Sequence, residues 1–234
     1  MFSFMERSIE NNVAQIREEI ARVCASCGRD EEEVTLVAVS KKQALEKIYD
    51  AQEAGISLFG ENRMQELMAK KDESGDRIRW HYIGHLQTNK IKYLLPIAEL
   101  IHSVDSIHLA SAIAGQALKR NQTAEVLLQV NTSGEESKFG FSPESLPEAC
   151  NTISSLNGID VKGLMTMAPY TDDIKVIAGC FSLLRQLYEQ IAKQTIQNVA
   201  MTYLSMGMSN DFAIALKEGS NMLRIGSAIF GARN

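Results

Sequence analysis

The sequence predicts a closed (β/α)8 TIM barrel preceded by an extra N-terminal helix, and three observations lead to this prediction. Short apolar runs alternate with amphipathic stretches along the chain. The runs are almost continuously apolar, which is typical of parallel strands covered on both faces. We count eight of them, and 234 residues is a usual length for a barrel that forms a single domain.

The first predicted element is an amphipathic helix over about residues 5–27. From Ile9 onward, apolar residues recur with the spacing i, i+4, i+7, i+11 and i+14, which places them on one helix face. Gly28 follows, and glycine is common just beyond the end of a helix. Cys24 and Cys27 form a Cys-x-x-Cys pair at the end of this pattern, where we expect buried apolar cysteines and neither a redox nor a zinc site.

The eight strands are predicted at residues 34–40, 56–59, 78–83, 100–104, 124–130, 161–167, 201–205 and 222–227. Helices are predicted between them, around residues 45–53, 106–119, 143–155, 174–193 and 210–218. Because eight parallel strands also fit an open doubly wound sheet, that architecture is the alternative. We find no linker, low-complexity segment or longer repeat, so we expect one domain over residues 1–234.

The composition excludes several classes of protein. Lys and Arg number 24 against 29 Asp and Glu, and the resulting net charge of −5 disfavours general binding to nucleic acid. No apolar run approaches the roughly 20 residues of a membrane helix, and the first residues lack the pattern of a signal peptide. Four cysteines in a chain of this length do not form a disulfide scaffold. We therefore expect a cytoplasmic protein with reduced cysteines.

The ends of strands seven and eight carry residues suited to binding phosphate. In α/β barrels the loops after these two strands commonly bind phosphate, helped by a helix N-terminus. Strand seven ends with Ser205, Gly207 and Ser209, and strand eight ends with Gly226 and Ser227. Glycine lets backbone N–H groups approach an anion closely, and serine hydroxyls add donors. The alternative is that Ser209 merely caps a helix while Gly226 relieves a crowded strand.

Two kinds of cationic residue lie beside apolar runs. Lys41 or Lys42 ends strand one, and a lysine among apolar groups deprotonates more readily and can attack a carbonyl carbon. The alternative is a solvated lysine at a strand end. Arg224 lies within the apolar run of strand eight, on the same face as Gly226, and must find an acceptor there. That acceptor is either an internal carboxylate or an atom of a ligand.

The histidines do not predict a metal site. His81 and His85 have the spacing i, i+4, but they lie in a strand and turn, and no glutamate follows the first of them. His102, on strand four, is interpreted as a core histidine whose polar atoms are satisfied internally.

Eight phrases in order along the chain resemble the pyridoxal phosphate homeostasis proteins, a family related to the N-terminal barrel domain of alanine racemases. The phrases are VAVSK (37–41), FGENRMQE (59–66), WHYIGHLQTNK (80–90), HSVDS (102–106), QVNTSGEESKFGF (129–141), GLMTM (163–167), SMGMSND (205–211) and LRIGSAIFGAR (223–233). Eight phrases in one order are more specific than any single motif, and the resemblance extends from strand one to the C-terminus.

This resemblance implies a barrel that carries pyridoxal 5′-phosphate (PLP), the vitamin B6 cofactor, as a Schiff base on Lys41. It also implies that Asn62 lies near the cofactor ring and that Arg224 faces the pyridine nitrogen. The phosphate would be held by Ser205, Ser209, Gly226 and Ser227. The family phrase often continues Lys-Thr-Lys-Pro, whereas this chain has Lys-Lys-Gln-Ala, so Lys42 stays the alternative anchor.

The same resemblance favours a binding protein over an enzyme. An arginine cannot take up the proton that a carboxylate would share with the pyridine nitrogen, so the ring is a weaker electron sink. Alanine racemases also use a second domain that lends a catalytic tyrosine, and because this sequence stops at Asn234 we expect no such domain and a monomer. The predicted function is therefore non-catalytic PLP homeostasis, with PLP-dependent apo-enzymes as partners. An alanine-type racemase and a class I aldolase-like barrel using Lys41 are the alternatives.

Overall fold

The computed structural model of the chain describes residues 8–135 and 137–231. Eight parallel strands form a closed barrel in sequence order, and β1 is hydrogen-bonded to both β2 and β8. The strands are β1 (Thr35–Val39), β2 (Leu58–Glu61), β3 (Arg79–Tyr82), β4 (Ala98–Val104), β5 (Ala124–Gln129), β6 (Ile159–Met165), β7 (Val199–Ser205) and β8 (Met222–Ile225). This closure confirms the predicted barrel and excludes the open doubly wound sheet.

Helices follow the strands around the outside of the barrel, and one helix precedes the first strand. They are α1 (Ile9–Ser26), α2 (Leu45–Glu53), α3 (Met64–Ser74), α4 (Ile91–Leu94), α5 (Ile107–Leu118), α6 (Leu146–Ser154), α7 (Ile174–Ala192), α8 (Phe212–Lys217) and α9 (Ser227–Phe230). The helices α3, α4 and α9 are not among those predicted from the sequence.

The extra N-terminal helix is confirmed, with limits set by its caps. Its N-cap is Ser8, whose hydroxyl accepts from the Asn11 amide at 3.2 Å, and residues 5–7 of the prediction lie outside the described residues. The helix ends before Gly28, which adopts a left-handed φ of 67°. Cys24 is buried as expected, but Cys27 is exposed, because it lies beyond the last helical turn that packs on the barrel.

The apolar residues form two layers that set the depth of any site. One cluster fills the inside of the barrel and consists of Val37, Leu58, Leu100, Leu127, Met165 and Met222. A larger cluster lies between the outer faces of the strands and the surrounding helices. Because side chains fill the barrel at the level of the inner cluster, a ligand site can form only nearer the carboxyl ends of the strands.

Within the part of the chain that the structure describes, no helix is both long enough and apolar enough to cross a bilayer.

Candidate functional site

The segment after β1 brings Lys41 to the carboxyl end of the barrel. Val37 belongs to the inner cluster, and Lys41 lies two residues beyond the end of β1 at Val39. Lys41 and Lys42 are the two central residues of a turn in which the Gln43 amide donates to the Ser40 carbonyl at 3.0 Å. Lys42 lies in that turn, is exposed and has a left-handed φ of 61°. Of the two adjacent lysines, Lys41 is thus the one that is partly buried beside the barrel interior.

A buried ionic network holds this turn in place. The Nζ atom of Lys70 donates to Glu61 Oε1 at 2.6 Å, to Glu66 Oε1 at 2.7 Å and to the Ser40 carbonyl at 2.7 Å. The Ser40 hydroxyl also donates to Glu61 Oε1, at 2.7 Å, and the Lys42 amide donates to Glu66. Burial raises the pKa of Glu61 despite the attraction of Lys70. The network connects α3 and the end of β2 to the turn that carries Lys41.

Sequence reasoning missed this network, although a signal for it exists. On α3 the buried positions recur three residues apart, at Met64, Leu67 and Lys70. A lysine at a position that the helical period assigns to the core requires a buried acceptor. Glu66, four residues before Lys70, is the acceptor that the helix itself supplies.

Arg224 points into the barrel, as the alternation along β8 predicts. Its Nη1 atom donates to Ser205 Oγ at 2.6 Å and its Nη2 atom donates to the Thr166 carbonyl at 2.8 Å. Among the described residues no carboxylate lies within 4 Å of the guanidinium, so the internal salt bridge considered from the sequence does not form. Burial lowers the pKa of Arg224 to about 10, which leaves it cationic at neutral pH. A buried cation whose hydrogen-bond partners are all neutral favours a further acceptor beside it, which a ligand can supply.

Two histidines extend this contact across the barrel interior. The Nδ1 atom of His102 lies 3.2 Å from Ser205 Oγ, and its Nε2 atom lies 3.0 Å from His81 Nδ1. The interpretation of His102 as a satisfied core histidine is therefore confirmed. Desolvation lowers the pKa of His81 to about 4, and it lowers the pKa of His102 well below its usual range. Both rings are thus neutral at pH 7, and their link to Arg224 could not be found from sequence spacing.

Ser205 is placed apart from the other residues predicted to bind phosphate. Its hydroxyl is fully buried between Arg224 and His102, on the inward face of β7. The hydroxyl oxygen accepts from the guanidinium, and its single hydrogen can be taken up by the imidazole of His102. The structure consequently groups Ser205 with Arg224, while Ser209 and Gly226 form a separate group.

Ser209, Gly226 and the start of α9 form a small polar cradle. The Ser209 hydroxyl oxygen accepts from the amide of Gly226 at 3.3 Å and from the amide of Ala228 at 3.2 Å. Strand eight ends at Ile225, two residues earlier than predicted, because Gly226 precedes and Ser227 begins this short helix. Backbone amides thus converge on a single oxygen atom at the carboxyl end of the barrel.

Ser209 does not cap α8, the helix that follows it, although its hydroxyl accepts from an amide in the first turn of α9. The residue before α8 is Asp211, and its carboxylate accepts from the Met208 amide at 2.5 Å, closing the loop between β7 and α8. Desolvation raises the pKa of this buried Asp211 carboxyl. Gly207 in the same loop has a φ of 97°, and a Cβ there would lie 2.7 Å from the Cβ of Ala215. Gly207 thus lets the loop pack against α8, and Ser209 is left to face α9.

Asn62 follows β2 beside a close approach of two strands. A Cβ at Gly84 would lie 2.1 Å from the carbonyl oxygen of Asn62, so only glycine fits at the end of β3. The Tyr82 hydroxyl donates to the same carbonyl at 3.4 Å. The side-chain Oδ1 of Asn62 is buried without a hydrogen-bond partner among the described residues. A buried polar atom of this kind requires a partner, which a water molecule or a polar group of a ligand can supply.

Within residues 8–135 and 137–231, no group of three or more His, Cys, Asp or Glu residues could hold a metal ion. The last phrase of the family resemblance continues into residues 232 and 233, and the fifth includes residue 136, which lie outside the described residues.

The chain is similar to known proteins in both sequence and fold. Residues 9–234 match the family model of the alanine racemase N-terminal domain. The pyridoxal phosphate homeostasis protein of Aquifex aeolicus is 40% identical to this chain over 222 residues, which are 94% of this chain and 96% of the relative. The solved structure of PipY from Synechococcus elongatus, with PLP bound, matches with a TM-score of 0.84 and 31% identity, over 96% of this chain and 100% of that chain.

An alanine racemase of Clostridium difficile matches with a TM-score of 0.74 and 15% identity. The match covers 95% of this chain but only 57% of the racemase chain. At this level of identity the comparison shows a shared barrel fold and nothing about activity.

Proposed function

The chain belongs to the family of pyridoxal phosphate homeostasis proteins, and from this premise we propose that it binds PLP and holds it without catalytic turnover. The name of the Aquifex aeolicus relative and the PLP bound to PipY support the cofactor. The observation that carries the proposal is the buried Arg224, whose guanidinium has only a hydroxyl and a carbonyl as partners in the described structure.

The carboxyl end of the barrel fits PLP at three points. The amides of Gly226 and Ala228 hold the Ser209 hydroxyl oxygen, and the hydrogen of that hydroxyl can donate to a phosphate oxygen. The buried Oδ1 of Asn62 has no hydrogen-bond partner among the described residues and suits a polar substituent of the ring. The Arg224 guanidinium can donate to a pyridine nitrogen. We assign the phosphate to the cradle formed by Ser209, Gly226 and Ser227.

PLP supplies an aldehyde that condenses with a lysine amine, releasing water, and a ring that withdraws electrons most strongly when its nitrogen is protonated. We propose Lys41 as the lysine that forms this Schiff base. Its partly buried position at the end of β1 supports the assignment, and the exposed, left-handed position of Lys42 argues against that residue. The network around Lys70 would hold the backbone on either side of Lys41 in one position.

The absence of turnover is proposed from the residues around Arg224. A guanidinium donates hydrogen bonds and accepts none, so Arg224 leaves the ring nitrogen without a proton. His81 and His102, which lie behind it, are neutral at pH 7 and are engaged with each other and with Ser205. None of these groups supplies the shared proton that would make the ring a strong electron sink.

A visible absorption spectrum of the protein with added PLP tests the cofactor and its anchor. We expect a Schiff-base band in the native protein and in Lys42→Ala, and no such band in Lys41→Ala. Borohydride reduction followed by peptide mass analysis should place the fixed pyridoxyl group on Lys41. A strand-end lysine contributes little to the core, so Lys41→Ala should remain folded by circular dichroism.

Each part of the proposal has its own contrary outcome. No band in the native protein would overturn PLP binding. A band lost in Lys42→Ala but retained in Lys41→Ala would move the anchor by one residue. Steady racemisation of any amino acid at about 1 s⁻¹ or faster, the ordinary range of enzymes, would overturn the absence of turnover.

The proposed role in the cell is to hold PLP and release it to PLP-dependent apo-enzymes in the cytoplasm. PLP-loaded protein should restore the activity of such an apo-enzyme, whereas borohydride-reduced protein, which cannot release its cofactor, should not. Equal restoration by free PLP at the concentration released, with no dependence on the protein, would contradict direct delivery.

A further inference from the structure

Four buried side chains form a continuous hydrogen-bond chain through the barrel interior. Arg224 on β8, Ser205 on β7, His102 on β4 and His81 on β3 are linked by contacts of 2.6, 3.2 and 3.0 Å. Their exposed fractions are 4%, 0%, 0% and 5%. We call this set the interior chain. The interior chain connects β7 and β8 with β3 and β4 across the barrel. These side chains therefore meet only because the barrel is closed.

The chemistry of the first residue gives the interior chain a direction. Arg224 can only donate, so Ser205 Oγ accepts from it, and the Ser205 hydrogen then points to Nδ1 of His102. His102 must carry its proton on Nε2 and donate it to Nδ1 of His81. The reverse order would leave the Ser205 hydroxyl hydrogen without an acceptor in the part of the chain that the structure describes.

We propose that His102, backed by His81, is a positioning residue that acts through Ser205 to fix the guanidinium of Arg224 against the cofactor ring. The proposal rests on the proposed binding of PLP. While the Ser205 hydrogen is held by His102, a lone pair of Ser205 stays directed at Nη1 of Arg224. Without that acceptor the hydroxyl hydrogen is no longer held in one direction, so the Ser205 oxygen is less firmly oriented and one of the two anchors of Arg224 is weakened.

Two replacements of His102 separate this role from simple packing. His102→Leu removes the acceptor of the Ser205 hydrogen, whereas the Oδ1 atom of His102→Asn can take the place of Nδ1. We expect His102→Leu to bind PLP about tenfold more weakly and to shift the absorption band of the bound cofactor. His102→Asn should retain the native band and an affinity within about threefold. Equal behaviour of the two variants, or native binding by His102→Leu, would overturn the proposal.

A matched pair of serine variants guards against misfolding of the histidine variants. Ser205→Ala removes the link itself, while Ser154→Ala removes another buried hydroxyl, which donates to the Asn151 carbonyl within the outer helix α6. We expect the weaker binding and shifted band in Ser205→Ala alone. The same change in both variants would mean a general loss of core packing and would overturn the proposal.

The direction of the interior chain can be measured in the protein without PLP. Nitrogen-15 NMR should show both His81 and His102 as neutral Nε2–H tautomers. A proton on Nδ1 of His102 would overturn the inferred order and with it the role of His102. This measurement distinguishes the two proposals, because a protein that fails to bind PLP would overturn the proposed function while the tautomers would still report on the interior chain.

Discussion

The ammonium group of Lys70 lies 2.6 Å from Glu61 Oε1, and both side chains are almost completely removed from solvent. This pair is not an isolated ion pair, because the same Nζ atom donates to the carbonyl of Ser40. It joins a helix on the outside of the barrel to the residue that directly precedes Lys41. The position of the proposed cofactor anchor thus depends on a charge placed 29 residues further along the chain.

Replacement of Lys70 by methionine should destabilise the protein strongly. Removing one partner of a buried ion pair leaves the other without compensation and typically costs about 3–5 kcal/mol. We therefore expect Lys70→Met to lower the free energy of unfolding by an amount in this range, measured by urea denaturation. PLP affinity should fall as well, because the turn after β1 loses its anchor.

Lys71→Met is the matched control, since Lys71 pairs with Asp76 at 2.5 Å on the surface. An exposed ion pair contributes little to stability, so this variant should unfold like the native protein. Equal stability of Lys70→Met and Lys71→Met would contradict the structural importance of the buried network.

Gly84→Ala should disturb the position of Asn62. The added Cβ would lie 2.1 Å from the Asn62 carbonyl oxygen, a distance that forces the backbone apart. Forced overpacking of this kind costs about 1–3 kcal/mol, and we expect a loss of stability in this range together with weaker PLP binding. Thermal unfolding and titration with PLP measure the two effects.

Gly115→Ala provides the comparison, because nothing lies within 4 Å of the position of its Cβ and it lies inside α5. Alanine in a helix interior is favoured over glycine by about 0.5–1 kcal/mol, so this variant should be slightly more stable. If Gly84→Ala behaved in the same way as Gly115→Ala, the close approach of β3 to Asn62 would be wrong.

Ser209→Ala should weaken the binding of PLP through its phosphate group alone. Its hydroxyl lies where two backbone amides converge, and a hydrogen bond to a charged group commonly contributes about a tenfold change in affinity. The loss should appear in a titration with PLP and be absent in a titration with pyridoxal, which lacks the phosphate. An equal loss for both ligands would place Ser209 at the ring, and no loss for either would remove it from the site.

The buried histidines should make the protein sensitive to acid. The pKa of His81 is lowered from 6.5 to about 4 by desolvation, so between these values the unfolded chain binds more protons than the folded protein. The contribution of neutral His81 to the free energy of unfolding is therefore fully present above pH 6.5 and is lost as the pH falls toward 4. Each unit between the two pKa values corresponds to about 1.4 kcal/mol.

His81→Asn should flatten this dependence, because the replacement cannot be protonated in that range while its Oδ1 can still accept from His102. His108→Asn, a replacement of an exposed histidine on α5, should leave the dependence as it is in the native protein. The measurement is the free energy of unfolding at several pH values between 7 and 4.5. An unchanged slope in His81→Asn would show that other groups cause the acid sensitivity.

Several elements could be predicted because their signals are local. The helix α2 begins and ends where the sequence places it, since apolar spacing identifies its buried face. Strand eight was predicted two residues too long because Gly226 and Ser227 continue its run of small and apolar residues. Only the approach of Ser209 from the neighbouring loop reveals that the chain turns into α9 at this point.

In the candidate site, too, some features follow from the local sequence and others depend on residues that are distant in sequence. The inward position of Arg224 follows from alternation along a strand, a local rule. The partners of Arg224 do not, because Ser205 lies 19 residues away and Thr166 lies 58 residues away in sequence. The prediction that Ser205 binds phosphate came from its place at the end of strand seven, whereas its contacts with the guanidinium and the imidazole depend on closure of the barrel.

By itself the sequence determined that parallel strands alternate with helices, the order of these elements and the strand ends near which chemistry-bearing residues occur, while closure into a barrel was decided by the tertiary structure. These properties depend on hydrophobic period and on residue type, which are read along the chain. Only the tertiary structure decided that Lys70 supports the turn that carries Lys41, that Arg224 has neutral hydrogen-bond partners, and that His81 and His102 lie behind it. Closure of the barrel brings together side chains from β3, β4, β7 and β8. Their contacts cannot be predicted from the local sequence, because the residues are far apart along the chain.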